Sequence, residues 1–195
     1  AVLWAQWWPG GRLRILGEYQ GDDVDLGSAV QERRRVLGQW FPRCRTVFTT
    51  GDPAGEHRKD TGPSSAQFLR GKGIPVMTKR GANAPSSRIW AIQQVRDLMS
   101  RRTSQGEAFG VHPRCEILTE GFRHGYVRDP VRVDGMPLKD GWHDHLQNCL
   151  EYLVQAFWQT GGLAESGREV VRYVLEGREP GEPHWNRREQ RMTGY

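Results

Sequence analysis

Apolar and polar positions alternate twice at the start of the chain, through Ala1–Trp8 and again through Arg12-Leu13-Arg14-Ile15-Leu16-Gly17-Glu18-Tyr19. A period of two marks half-buried strands, and Pro9-Gly10-Gly11 between them supplies a turn, so the pair predicts a β-hairpin. Helical spacing follows at Val30, Leu37 and Trp40, within residues 25–40, with Asp25 or Ser28 as cap. The run from Cys44 to Thr50 is β-branched and aromatic and reads as a buried central strand. A short helix is expected from Ser64 to Arg70, ending at Gly71 or Gly73, and then a strand from Ile74 to Thr78. Pro85 to Arg101 carries the plainest helical pattern, with Ile89, Ile92, Val95, Leu98 and Met99 as its inward stripe. Ala108–Val111 reads as a strand, Arg114–Phe122 as a helix and Val127–Met136 as an irregular hairpin. The last strong pattern is a helix from Trp142 to Trp158 with Leu146, Leu150, Leu153, Val154 and Phe157 inward.

This alternation of strands and helices predicts an α/β fold with a mixed sheet flanked by helices over residues 1–160. The pattern changes after Gly161-Gly162. Residues 161–195 read as one amphipathic helix, Glu165–Glu176, and then an Arg-, Glu-, Pro- and Gly-rich tail.

A length of 195 residues suits one domain with a substantial core. No apolar run reaches the length of a membrane span, and no signal peptide is visible. The first residue is Ala and the first strand begins at once, so the chain is read as a fragment cut in or just before a sheet. Cys44, Cys115 and Cys149 are sparse, odd in number and without metal-ligand spacing, which suggests reduced thiols. The net charge of +5, with arginine preferred to lysine, is compatible with a polyanionic partner and with an ordinary basic surface.

The chemistry concentrates in two places. The first is Gly51-Asp52-Pro53-Ala54-Gly55, where the apolar strand ends. Pro53 stops ladder pairing, so Asp52 is expected at the rim of the sheet. Ligands of open α/β sheets gather at the carboxyl ends of strands, and a carboxylate there suits a hard cation. A plain turn cap is the competing role for Asp52. The second is Asp140-Gly141-Trp142-His143-Asp144-His145, leading to Asn148. Asp144 and Asn148 share a helix face, with His145 beside them. Asp52, Asp144 and Asn148 together would form an oxygen-donor site for Mg²⁺ or Mn²⁺. Asp144 as an acid complementing the helix dipole is the competing role. Arg58, Lys59, Lys79, Arg80 and Arg88 flank the site in sequence and would hold phosphates. The neighbouring residues His143-Asp144-His145 diverge on a helix and no Cys or His partner sits at useful spacing, so zinc is disfavoured, and neither a serine elbow nor a Walker loop is present.

These segments resemble, in order, the C-terminal nuclease domain of the large terminase subunit of tailed phages. Ala1–Gln6 with Leu16–Tyr19 is similar to its first hairpin. Gly51–Gly55, with Arg58 and Asp60-Thr61, is similar to its "GDPAG–R–TD" stretch. Arg88–Leu98 and His112-Pro113-Arg114-Cys115 resemble its central helix and "DPRC" segment, with Gly121-Phe122 and Gly125-Tyr126 following. Trp142–Leu153 resembles its terminal "SH–DALQYL" helix. The resemblance spans residues 1 to about 158. It implies a ribonuclease-H-like fold, a two-metal Mg²⁺ or Mn²⁺ site, and cleavage of double-stranded viral DNA during packaging in the host cytoplasm. The portal and the small terminase subunit would be partners.

By this resemblance Asp52 is the second acid of the site, with Asp60 and His145 supporting it. The family's first acid falls before Ala1, and its helix acid aligns with Asn148, with Asp144 one turn earlier as the alternative ligand. The rival expectations are a resolvase- or transposase-type nuclease of the same fold, and a non-catalytic DNA-binding or portal-docking module.

Overall fold

The computed structural model describes residues 1–8, 10–44, 48–57, 62–79 and 81–159, with residues 158 and 159 as backbone alone. Strand β1 (Val2–Trp8) pairs antiparallel with β2 (Arg12–Tyr19), as the alternation requires. Helix α1 (Leu26–Trp40) follows. Asp25 is its cap: the carboxylate accepts the Gly27 and Ser28 amides at 2.7 and 3.1 Å. Strand β3 is short, Thr49–Gly51, and pairs in parallel with β4 (Val76–Thr78). Between them lies α2 (Ser65–Gly71), closed by a capping box in which Ser64 and Gln67 exchange backbone bonds. Helix α3 (Pro85–Ser100) leads to the small hairpin of β5 (Arg102–Thr103) and β6 (Gly106–Glu107). Strand β7 (Phe109–Val111) joins β2 in parallel. Helix α4 (Glu116–Glu120) runs into a π-turn at Gly121–Gly125, and α5 (His143–Gln159) ends the described fold.

The result is a mixed α/β fold with five helices and small mixed sheets among the described residues. The main core is made by Leu13 and Ile15 of β2, Val95 and Leu98 of α3, Phe109 of β7, Leu118 of α4, and Leu146, Leu150 and Val154 of α5. Trp7 of β1 stacks on Phe157 of α5, with ring centroids 3.3 Å apart. A second, smaller core joins Val30 of α1 to Ile74 and Val76. No described helix is long and apolar enough to cross a membrane.

Several expectations change. The strand expected from Cys44 begins only at Thr49, and residues 45–47 lie outside the described residues. It pairs with β4 alone among the described strands. The inward face of α3 is rotated: Ile89 and Met99 are exposed, whereas Arg88, Ala91, Val95 and Leu98 are buried. On that buried face Arg88 is paired with Glu151 of α5 at 2.7 Å. The helix expected through Phe122 stops at Glu120, because the backbone widens into the π-turn. Two glycines make room there. A Cβ on Gly121 would meet Gln147 Nε2 at 2.9 Å, and one on Gly125 would collide with the His143 ring. The hairpin expected over Val127–Met136 is one bridge, Arg128 to Pro137, with exposed Val131 and Val133 between. The expected helix and tail beyond Gln159 fall outside the described residues.

Candidate functional site

Helix α5 is the axis of the site, and its sequence divides it into three stripes at helical spacing. Leu146, Leu150, Leu153 and Phe157 face the core. Asp144, Asn148, Glu151 and Gln155 form a polar stripe that is mostly buried. Cys149 and Tyr152 lie between and face Asp52.

Asp52 leaves the end of β3 exposed to solvent. Its carboxylate accepts the Ala54 amide at 2.8 Å and so caps the short 3₁₀ turn Pro53–Glu56. The turn is tied down from its far end. Glu56 accepts two bonds from the Arg70 guanidinium, at 2.5 and 3.0 Å, and one from the Thr78 hydroxyl at 2.8 Å. These bonds, Arg70 first, hold the Glu56 carboxyl below its usual range. Gly51 pairs with Thr78 in the parallel register, so Asp52 and the half-buried Lys79 leave the sheet at the same carboxyl end. On the helix side, burial raises the Tyr152 hydroxyl, and the nearby Asp52 charge raises it further. Burial likewise pushes the Cys149 thiol up to about 11, with the Asp52 charge adding to it. Cys149 also donates weakly to the Ala1 carbonyl at 3.6 Å, which joins α5 to the start of β1.

The polar stripe is closed. Arg88 is 5% exposed. Its Nε donates to Glu151 Oε2 at 2.7 Å, and its Nη2 donates to Asn148 Oδ1 at 2.5 Å and to the Tyr126 hydroxyl at 3.0 Å. The Tyr126 hydroxyl in turn donates to Glu151 Oε1. Burial alone would lower the Arg88 pKa, but the Glu151 carboxylate outweighs it and holds the guanidinium charged. Burial and the Glu151 charge both raise Tyr126. One turn further, Gln155 donates to the Ala82 carbonyl at 3.0 Å.

The helix start is a separate, capped unit. Asp144 is 4% exposed and accepts the Gly141 amide at 2.8 Å. Asp140 accepts the Trp142 and Asp144 amides and meets His143 Nδ1 at 2.6 Å. Glu120 lies 3.7 Å from His143 Nε2. The bond to Asp140 raises the His143 pKa against partial desolvation, and Glu120 adds to the rise.

The sequence expectations therefore separate. Asp52 and Lys79 share one rim. Arg88, expected on the DNA-facing rim, is instead buried, because Glu151 and Asn148 supply a charge and an acceptor that compensate its desolvation. Asn148 spends its carbonyl oxygen on that guanidinium. Asp144 accepts the Gly141 amide at the start of α5. His145 is exposed beside it. Arg58, Lys59, Asp60 and Arg80 lie outside the described residues. Among the described residues no group of three His, Cys, Asp or Glu side chains is placed to hold a metal. Glu151 and Tyr152 carry no site role in the sequence reading, and Tyr126 enters it only within the family resemblance. The signal for Glu151 was its place on the Asp144–Asn148 stripe, but nothing in the sequence paired it with Arg88. No protein-family model, curated protein or solved structure matches the chain.

Proposed function

We propose that the chain is a ribonuclease-H-like domain of the terminase large-subunit kind, acting on double-stranded viral DNA in the host cytoplasm. The observation that carries the reading is Asp52, exposed at the carboxyl end of a parallel strand pair and set against the long buried helix α5. Lys79 at the same rim supports a phosphate backbone as ligand, because a lysine ammonium holds phosphate as a point charge. The proposal includes the finer sheet order of the ribonuclease-H fold, and the portal and small terminase subunit as partners.

Asp52 has the exposure to take a divalent cation. The other two expected donors do not fit a two-metal centre, since Asn148 is engaged by Arg88 and Asp144 by Gly141. No cleavage step is derived through Mg²⁺ or Mn²⁺ from this set. What the residues do supply is a fixed carboxylate, a neighbouring lysine, and a hydroxyl at Tyr152 that keeps its proton. A second reading, a DNA-binding module that does not cut, is favoured by one observation: the Arg88 guanidinium fills the place beside Asn148.

Duplex binding and plasmid cleavage with Mn²⁺, measured on the chain and on Asp52→Ala, separate the readings. Cutting that Asp52→Ala abolishes supports the nuclease. Salt-sensitive duplex binding without cutting supports the module. A chain that neither binds nor cuts duplex refutes both.

A further inference from the structure

The "DPRC"-like segment His112-Pro113-Arg114-Cys115 plays no part in the site around Asp52. It follows β7 and packs beside the end of α1. The Arg114 guanidinium lies over the Trp40 ring, 3.3 Å from its centroid. Its Nε donates to His112 Nδ1 at 3.1 Å, and its own amide donates to the same nitrogen at 3.2 Å. One face and one edge of the guanidinium are thereby fixed, while its two terminal nitrogens point to no carboxylate among the described residues. Arg114 is exposed, and Trp40 is 43% exposed.

Acids of the elements around it are committed elsewhere. Glu18 accepts the Ile117 and Leu118 amides at 2.8 and 2.9 Å and so caps α4. Glu32 is paired with Arg35 at 2.6 Å. Glu116 makes no ion pair with Arg114 among the described residues. Arg34 and Arg43, on α1 and just beyond it, are exposed as well. A planar guanidinium held on an aromatic face, with its fork open, is pre-organised for the two oxygens of a phosphate.

We propose that Arg114, seated on Trp40, grips a backbone phosphate of nucleic acid and forms a second contact surface separate from Asp52. This rests on the reading of the chain as a DNA-binding domain. The test is fluorescence anisotropy of a labelled duplex of random sequence, from about 50 to 200 mM salt, the range over which phosphate contacts are lost. Arg114→Ala is expected to bind about tenfold more weakly, with a log–log salt slope shallower by about 0.9, the value of one phosphate contact. Arg114→Lys keeps the charge and loses the fork, so it should lose affinity by about threefold with the slope kept. Trp40→Leu should weaken binding as well, by freeing the guanidinium. Far-ultraviolet circular dichroism reports whether each variant folds, and Arg114→Lys carries the test if Arg114→Ala does not. If the parent chain binds duplex and these variants match it, the second surface is refuted and the DNA reading stands. If the parent chain binds no duplex at low salt, the DNA reading fails and this proposal with it. If the parent chain binds inorganic phosphate, and Arg114→Ala loses that binding while its duplex binding is unchanged, the site is one for a free anion, and the nucleic-acid contact is refuted.

Discussion

Two polar regions flank α5, and they treat charge in opposite ways. On one side Arg88, Glu151, Asn148 and Tyr126 close on one another away from water. On the other Asp52 stands at an open strand end, with Tyr152 and Cys149 beneath it. Both regions are built from residues of the kind that carry chemistry. Only the open one has a charged group left to spend on a ligand. Residue type and spacing nominate a site, and burial decides whether its members answer to a ligand or to each other.

The largest effect expected from this contrast is in the closed region. Glu151→Ala leaves the Arg88 guanidinium buried without its carboxylate, which costs about 3–5 kcal/mol. Replacing both partners, as Arg88→Met with Glu151→Leu, should recover most of that loss. Urea denaturation of the three variants measures it. A loss under about 1 kcal/mol for Glu151→Ala would mean that the pair is not closed to water.

Leu150→Ala, in the core stripe of the same helix, should cost about 2–5 kcal/mol through the cavity it leaves. The same denaturation series places it beside Glu151→Ala and shows whether packing or the ion pair dominates at α5. On the open side, Asp52→Ala removes a turn cap at an exposed position and should cost about 1 kcal/mol or less. A loss as large as that of Glu151→Ala would erase the contrast between the two faces.

The smallest effect is a pH dependence at the start of α5. His143 has a raised pKa, so its contribution is fully present below the unfolded value of 6.5 and fades as pH rises through the folded one. Asp140 has a lowered pKa. Its loss of water acts the other way, but the bonds from His143, Trp142 and Asp144 outweigh it. Its contribution is therefore present above the unfolded value of 3.8 and lost as pH falls through the folded one. Thermal melts should show stability declining from mildly acidic toward alkaline pH, and His143→Gln should flatten that decline. An unchanged profile would exclude His143 as its source.

Much of the element order was legible. The hairpin, Asp25 as one of two candidate caps, the start of α3 at Pro85 and the core stripe of α5 follow from local rules that act within a few residues. Asp52 as the last residue before a turn was legible for the same reason, because Pro53 ends a strand wherever it falls. The roles of Arg88 and Asn148 were not. They lie far apart in the chain, and their bond exists only because α3 and α5 pack together.

By itself the sequence determined where the chain turns, which helices form and which side chains are apolar enough to be buried. These depend on backbone preferences and on periodicity, both of which are local. Tertiary structure alone decided that Arg88 is buried rather than facing a ligand, that Lys79 joins Asp52 at one rim and that Arg114 rests on Trp40. The physical reason is that a charge is stabilised by the partners that the fold brings within a few ångströms of it, and for Arg88 and Arg114 those partners lie far away along the chain.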